Sequence, residues 1–335
     1  MKRLTTALVA GALSLASAAT ADDLKMATVA PGTSAYLTMS TMATLVNGNQ
    51  DTHNITVDAT GAASKHMIDL AKGNLDFAMT APVLYKLMAG KKAMYQKLDE
   101  APELAKNLRL VFWFPWGPAH YITYDEDGMT SLEDLRGKTV FLGPPGGGAW
   151  NSAHGWLKAQ TGMTAGEDYK NFKGSWSSAF QAFQDRQVDA YVVGGVPPFP
   201  QMEQLTATSK IRLLGPNKAE VDAQTPEQLA PTKAAGRSLN AIDPAVYGGG
   251  VTNEEPVYTY DVWVGVTTRA DLDEETVYEV TKTFWEAVET ERATTPWLAH
   301  ITAEFGIQNG GLTLHPGAQR YYEELGLEIP EGSGS

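Results

Sequence analysis

Apolar and polar positions along this chain follow two rhythms, and the rhythm switches at glycine- and proline-bearing loops. Residues 24–29 read as a strand, closed by the loop Ala30-Pro31-Gly32-Thr33-Ser34. Tyr36, Met39, Met42, Ala43 and Val46 then recur at the spacing of an apolar helix stripe. Residues 55–59 predict a second strand, and Ser64 reads as the N-cap of a helix carrying Met67, Ile68 and Ala71 to a stop at Gly73. A third strand follows over 75–80. Ser131 caps a short helix ending at Gly137, and 138–142 is a strand. The loop Gly143-Pro144-Pro145-Gly146-Gly147-Gly148 leads into a helix from about Ala149 to Gln160. A helix over 177–185 runs into a strand over 188–193, and 262–267 is another strand. Residues 274–292 form a long helix with Val277, Val280, Phe284, Trp285 and Val288 on one face. Such alternation predicts an α/β architecture with mainly parallel sheets.

One pattern repeats. Pro31-Gly32-Thr33-Ser34-Ala35-Tyr36 follows the first strand and opens a helix, as Pro145-Gly146-Gly147-Gly148-Ala149-Trp150 does later. Leu75-Asp76-Phe77-Ala78-Met79-Thr80 is echoed by Val188-Asp189-Ala190-Tyr191-Val192-Val193 at nearly the same offset. The first of these runs into Thr80-Ala81-Pro82, the second into Gly194-Gly195-Val196-Pro197. Two motifs at one offset point to two lobes of similar topology, against the plainer alternative that small-residue loops look alike.

Length and composition fit this picture. A chain of 335 residues can bury a core for two lobes. Cysteine is absent, which excludes disulfides, thiolate chemistry and cysteine-held zinc. Met1-Lys2-Arg3, an apolar run to about Ala18 and Ala19-Thr20-Ala21 have the layout of a secretory leader, residues 1–21. The alternative is a retained membrane anchor, but the apolar run falls short of the ~20 residues that span a bilayer. The net charge is −13, and more negative without Lys2 and Arg3, which argues against nucleic acid or an anionic membrane surface as partner.

In open α/β sheets ligands sit beyond the carboxyl ends of the strands, where unpaired N–H groups at helix N-termini favour anions. Two small-residue loops, one per lobe, would therefore grip a ligand between them. A nucleotide cradle is the rival for 143–148. Gly143 and Gly148 have its spacing, but Ala149 and Trp150 stand where the phosphate-binding Lys and its hydroxyl neighbour belong. His53, His66, His120, His154, His300 and His315 are scattered, with no metal-ligand spacing on one helix, and no Gly-x-Ser-x-Gly elbow occurs. Most of the tryptophans suit core packing; Trp150, directly after the second loop, is the first candidate to face a ligand, and Trp116 the second.

Taken in order, these segments resemble the TAXI family of TRAP-transporter solute receptors. The likeness rests on the first strand–loop–helix to Tyr36, on 57–80 with Thr60-Gly61 and Gly73-Asn74-Leu75-Asp76-Phe77-Ala78, and on Ser131-Leu132-Glu133-Asp134-Leu135-Arg136-Gly137-Lys138. It continues through Gly143-Pro144-Pro145-Gly146, Asp189-Ala190-Tyr191-Val192-Val193-Gly194-Gly195, Thr267-Thr268-Arg269-Ala270-Asp271-Leu272 and Leu314-His315-Pro316-Gly317-Ala318-Gln319-Arg320-Tyr321-Tyr322. The resemblance implies a type II periplasmic-binding fold, two α/β lobes joined by crossing hinge strands, and no catalysis, cofactor or metal. It implies a small-carboxylate ligand, an amino acid or organic acid, and an integral-membrane permease driven by an ion gradient. Carried over residue by residue, the binding positions are Thr33, Ser34, Ala35, Tyr36, Thr60, Gly61 and Thr80 in one lobe. Gly146, Gly147, Gly148, Ala149, Trp150, Gly194, Gly195 and Pro197 come from the other. Ala149 replaces a family hydroxyl and Trp150 a smaller side chain, which makes that half of the pocket more apolar and leaves glutamate unimplied. The first loop is also poorer in glycine than the family pattern.

The expected division is a leader over 1–21, a first lobe over 22–123, a second over 124–262, and a return to the first over 263–335, with crossings near 121–125 and 260–267. The expected product is a monomeric periplasmic receptor. A sensory input to a membrane histidine kinase and an enzyme on the same fold are the alternatives.

Overall fold

The computed structural model describes residues 22–233 and 236–335, and the expected leader lies outside them. The first lobe opens with β1 (Asp22–Ala27), α1 (Ser34–Asn49), β2 (His53–Asp58), α2 (Ala63–Ala71) and β3 (Phe77–Thr80). In α1 the Thr33 hydroxyl caps the first turn, accepting the Tyr36 N–H at 3.2 Å. Met39, Met42, Ala43 and Val46 are buried, as the spacing predicts, while Tyr36 is half-buried and Ala35 and Thr38 complete the buried stripe. The cap of α2 differs from expectation: it is Ala62, and Ser64 lies inside the helix. Gly61, at φ +81°, turns the chain earlier, and His66 Nε2 sits 2.6 Å from the Thr60 carbonyl oxygen.

After α3 (Pro82–Ala89) and α4 (Ala101–Lys106) the chain enters β4 (Leu108–Tyr124), the longest strand. The second lobe then runs β5 (Thr139–Phe141), α5 (Gly148–Thr161), β6 (Lys170–Asn171), α6 (Trp176–Gln184) and β7 (Ala190–Gly194). It continues through α7 (Pro200–Thr208), β8 (Ile211–Leu213), α8 (Lys218–Asp222), α9 (Pro226–Leu229) and β9 (Arg237–Ile242). The strand β10 (Val257–Arg269) leads to α10 (Glu274–Glu291), α11 (Ala303–Gly306) and α12 (Pro316–Glu324). These last helices return to the first sheet, where the Tyr322 hydroxyl donates to the Val111 carbonyl at 2.9 Å.

The pairing explains the sequence echo. One set of strands runs β2-β1-β3-β10-β4, the other β6-β5-β7-β4-β8, so each lobe holds the same order with one antiparallel strand arriving from its neighbour. Parallel pairs join β1 to β2 and β3, and β5 to β6 and β7. Every pair made by β4 or β10 with a neighbouring strand is antiparallel. The sheet as a whole is therefore mixed: the crossing strands add antiparallel pairs that local alternation does not announce.

The crossing has a local cause. Along β4, Pro118 still pairs with β10, while the next residue, Ala119, pairs with β7. Val262 faces Gly117 and Trp263 faces Pro115, which leaves Trp116 unpaired as a β-bulge. Bulges bend a strand and re-aim a side chain. They also accommodate prolines, which have no N–H for a ladder. Gly117 has φ +101°, and a Cβ there would lie 2.3 Å from the Gly195 carbonyl carbon, so only glycine lets the two segments meet.

Candidate functional site

A mainly apolar cavity of about 50 Å³ lies where the crossing strands meet the loops that end β3, β5 and β7. On that measure it has room for roughly three to five water-sized groups. Val29, Ala62, Met79, Ala81 and Leu84 line it from the first lobe, and Leu142, Pro144, Ala149, Ser152 and Trp176 from the second. Trp116, Gly117, Tyr260 and Val262 of the crossing strands complete it. The Trp116 bulge therefore delivers its indole to the wall, with Nε1 donating to the Gly194 carbonyl at 2.8 Å.

Contacts between lobes shut the cleft. A Cβ at Gly148 would lie 2.9 Å from Leu84 Cγ, and one at Gly236 would lie 2.3 Å from Pro82 Cγ. Both glycines belong to the second lobe's segments and both partners to α3, so the small residues permit close approach.

The expected binding residues divide in two. Gly147, Gly148, Ala149 and Gly194 lie in the cavity wall. The others lie outside its lining. Thr33 is buried with its hydroxyl donating to the Ala30 carbonyl at 3.1 Å, Ala35 is fully buried, and Ser34 and Tyr36 are half-buried on α1. Thr60 donates to Asp58 Oδ1 at 2.7 Å, and Gly61 stands against the His66 ring; the following Ala62 and Ala63 reach the cavity instead. Thr80 is buried, its hydroxyl 2.9 Å from Met67 Sδ, while its neighbour Ala81 lines the wall. Gly195 packs on Phe199, and Gly146 and Pro197 lie outside the lining.

Trp150 also lies outside it. Its ring stacks on His154 at 4.8 Å, and its Nε1 donates to Asn171 Oδ1 at 3.2 Å. Helix geometry decides this: Gly148, Ala149 and Ser152 share the cavity face of α5, while Trp150 and His154 pair four residues apart on another. That spacing was a readable signal for Ser152, which the motif comparison missed.

Polar chemistry gathers at one end. Arg237, at the start of β9, donates from its Nη2 to Ser152 Oγ at 2.6 Å, and its carbon Cζ lies 5.9 Å from the centre of the Tyr260 ring. Its Nε is buried and has no partner among the described residues. Burial lowers its pKa from the ordinary arginine value, though a guanidinium stays protonated in proteins. Burial likewise holds the Tyr121 and Tyr260 phenols well above the usual tyrosine value, so both are neutral. No sequence motif marked Arg237, because only strand register brings it here. Among the described residues, no group of His, Asp and Glu is arranged to hold a metal ion, and no helix is long and apolar enough to cross a membrane.

The comparisons agree with this architecture. The structure of a periplasmic transporter superposes with a TM-score of 0.55 at 13% identity, covering 91% of this chain and 93% of that one. The alkanesulfonate-binding protein SsuA from Xanthomonas axonopodis pv. citri, bound to MOPS, gives 0.50 at 18% identity, covering 90% of this chain and 84% of its own. The fold is the two-lobed α/β fold of periplasmic binding proteins. The NMT1-like family model matches residues 26–326, and the protein therefore belongs to the NMT1-like family.

Proposed function

We propose that this protein is the solute receptor of a TAXI-type TRAP transporter, capturing a small carboxylate between its lobes and handing it to an ion-gradient-driven membrane permease. The observation that carries the reading is the cleft: a cavity floored by crossing strands, walled by loops of both lobes and shut over by contacts between them. A receptor needs only to enclose its solute and release it unchanged. The ordered set of TAXI-like motifs supplies the transporter type, and a cleaved leader over 1–21 the periplasmic location.

In this reading the lobes rotate about β4 and β10. Closure is a population shift, limited by how much better the solute binds the closed form. A solute touching walls from both lobes makes contacts that the open form lacks.

The test is a thermal-shift screen of residues 22–335 against small carboxylates and amino acids. A ligand at a hundredfold excess over its Kd stabilises the native state by about 2.7 kcal/mol. A rise in melting temperature with one acid, recovered chemically unchanged, supports the reading. Folded protein with no shift across the panel rejects it.

A further inference from the structure

We propose that Arg237 is the charge receptor of this cleft, and that the solute is a small monocarboxylate with an apolar body, carrying neither an amino group nor a second acid. The inference rests on the receptor reading above and narrows its ligand.

Register places the guanidinium. On the β9–β10 ribbon Arg237 pairs with Val262, and Leu239 pairs with Tyr260. Cross-strand partners, and residues two apart on one strand, share a face. Tyr260 and Val262 line the cavity, so Arg237 leaves the ribbon on the cavity side. It stands just behind the wall and holds Ser152, whose hydroxyl also donates to the Gly148 carbonyl at 3.0 Å. A solute carboxylate that takes the place of the Ser152 hydroxyl would meet this charge directly.

Among the described residues no carboxylate is paired with this cation. Its contacts among the described residues are Ser152, the Pro231 carbonyl at 3.4 Å and the Tyr260 ring, with Nε unused. Arg237 is half-buried, and a cation held there gains from a carboxylate brought beside it. In a low-dielectric cleft that attraction is strong.

The rest of the wall fixes the solute's other end. The lining contains no Asp, Glu, Lys or Arg, so an ammonium or second carboxylate would be buried unpaired. The acid nearest in sequence, Asp261, belongs to the opposite face of β10. It accepts from Asn240 Nδ2 at 3.0 Å and from the Val262 N–H at 2.6 Å. Met79, Leu84, Trp116 and Trp176 suit an aliphatic or aromatic body, and the volume suits a short one.

The experiment is titration calorimetry of residues 22–335 with butyrate, butyramide, glutamate and succinate. Butyrate is expected to bind at least about tenfold tighter than each of the other three, the worth of one charge-assisted contact. Arg237→Gln should bring butyrate and butyramide within about threefold of each other, and Arg237→Lys should restore part of the difference. The acid-to-amide ratio reads charge recognition separately from fold, and unaltered circular dichroism confirms that the variants are native. Tighter binding of glutamate or succinate overturns the monocarboxylate inference and leaves the receptor reading standing. An unchanged ratio in folded Arg237→Gln overturns the role of Arg237. Binding of none of the four overturns the inference, and the wider thermal-shift panel then decides whether the receptor reading falls with it.

Discussion

Thr33 and Gly147 occupy the same step in the two lobes, the N-cap of the helix that follows the lobe's first strand, and they treat that helix end in opposite ways. The Thr33 hydroxyl takes the Tyr36 N–H and closes the first turn of α1 on itself. Gly147 has no side chain to offer α5, and it lines the cavity together with Gly148 and Ala149. Helix N-terminal donors serve a ligand only where the chain has not already satisfied them. Two loops of the same origin in the echo thus divide the work: the first holds its own helix, the second faces the cleft.

The sharpest way to break this comparison is to alter the next position of each loop. In Gly148→Val the added side chain meets Leu84, which already limits a bare Cβ, so the lobes cannot close. Affinity for the solute identified in the screen should fall on the order of 100-fold. Ser34→Ala, at the matching step of the first loop, should change it by less than about threefold. Equal losses in calorimetry would show that both loops touch the solute.

Each lobe also buries a histidine. His120, on the second-lobe part of β4, is enclosed between the Pro118 carbonyl at 2.8 Å and the Tyr247 hydroxyl at 2.9 Å, and burial lowers its pKa to about 3. Burial lowers His315, beside the first sheet, to about 4. Both folded values lie below the unfolded one, so the unfolded chain takes up protons first as pH falls. Stability should therefore drop from about pH 6.5 downward, by about 2 kcal/mol at pH 5 for His120. Urea unfolding at pH 7 and pH 5 measures the drop, which should shrink by that amount in His120→Phe.

Trp116 and Trp150 test the same division with one residue type. Trp116→Ala removes part of the cavity wall and should weaken binding roughly tenfold, whereas Trp150→Ala should leave affinity within about threefold. The reverse order would mean that α5 turns its other face to the solute.

Much of the fold was legible because it is locally written. The stripes of α1 and α10 are apolar at helix spacing, and the Ser131–Asp134 capping box announces its turn. The long β4 was not legible in its first part, since residues 108–118 are almost continuously buried and carry Pro115 and Pro118. An apolar run with prolines does not read as a strand until its partner, β10, supplies the register. At the candidate site, the second loop singled out by its motif lies in the cavity wall, whereas Ala62 and Ala63 line it beside the expected Thr60 and Gly61, and Ala81 beside Thr80. A motif fixes where the backbone turns, and the strand or helix phase then decides which neighbour faces inward. Arg237 was out of reach because its place depends on pairing between β9 and β10, which no local pattern encodes.

The smallest effects come from exchanging the caps themselves. Thr33→Ala removes the hydroxyl that closes α1 and should cost about 1 kcal/mol in urea unfolding, with solute affinity unchanged. Gly147→Ser supplies the missing cap to α5. Serine is better than glycine at an N-cap by only a few tenths of a kcal/mol, so the gain in stability should be near the limit of measurement. The new hydroxyl would occupy an N–H donor at the cavity wall, and binding should weaken while the protein becomes no less stable. Opposite signs in stability and affinity from one added hydroxyl are what an open helix end facing a solute requires. Matched signs, or no change in affinity, would mean that the end of α5 is open for packing against Leu84 alone, leaving recognition to the crossing strands.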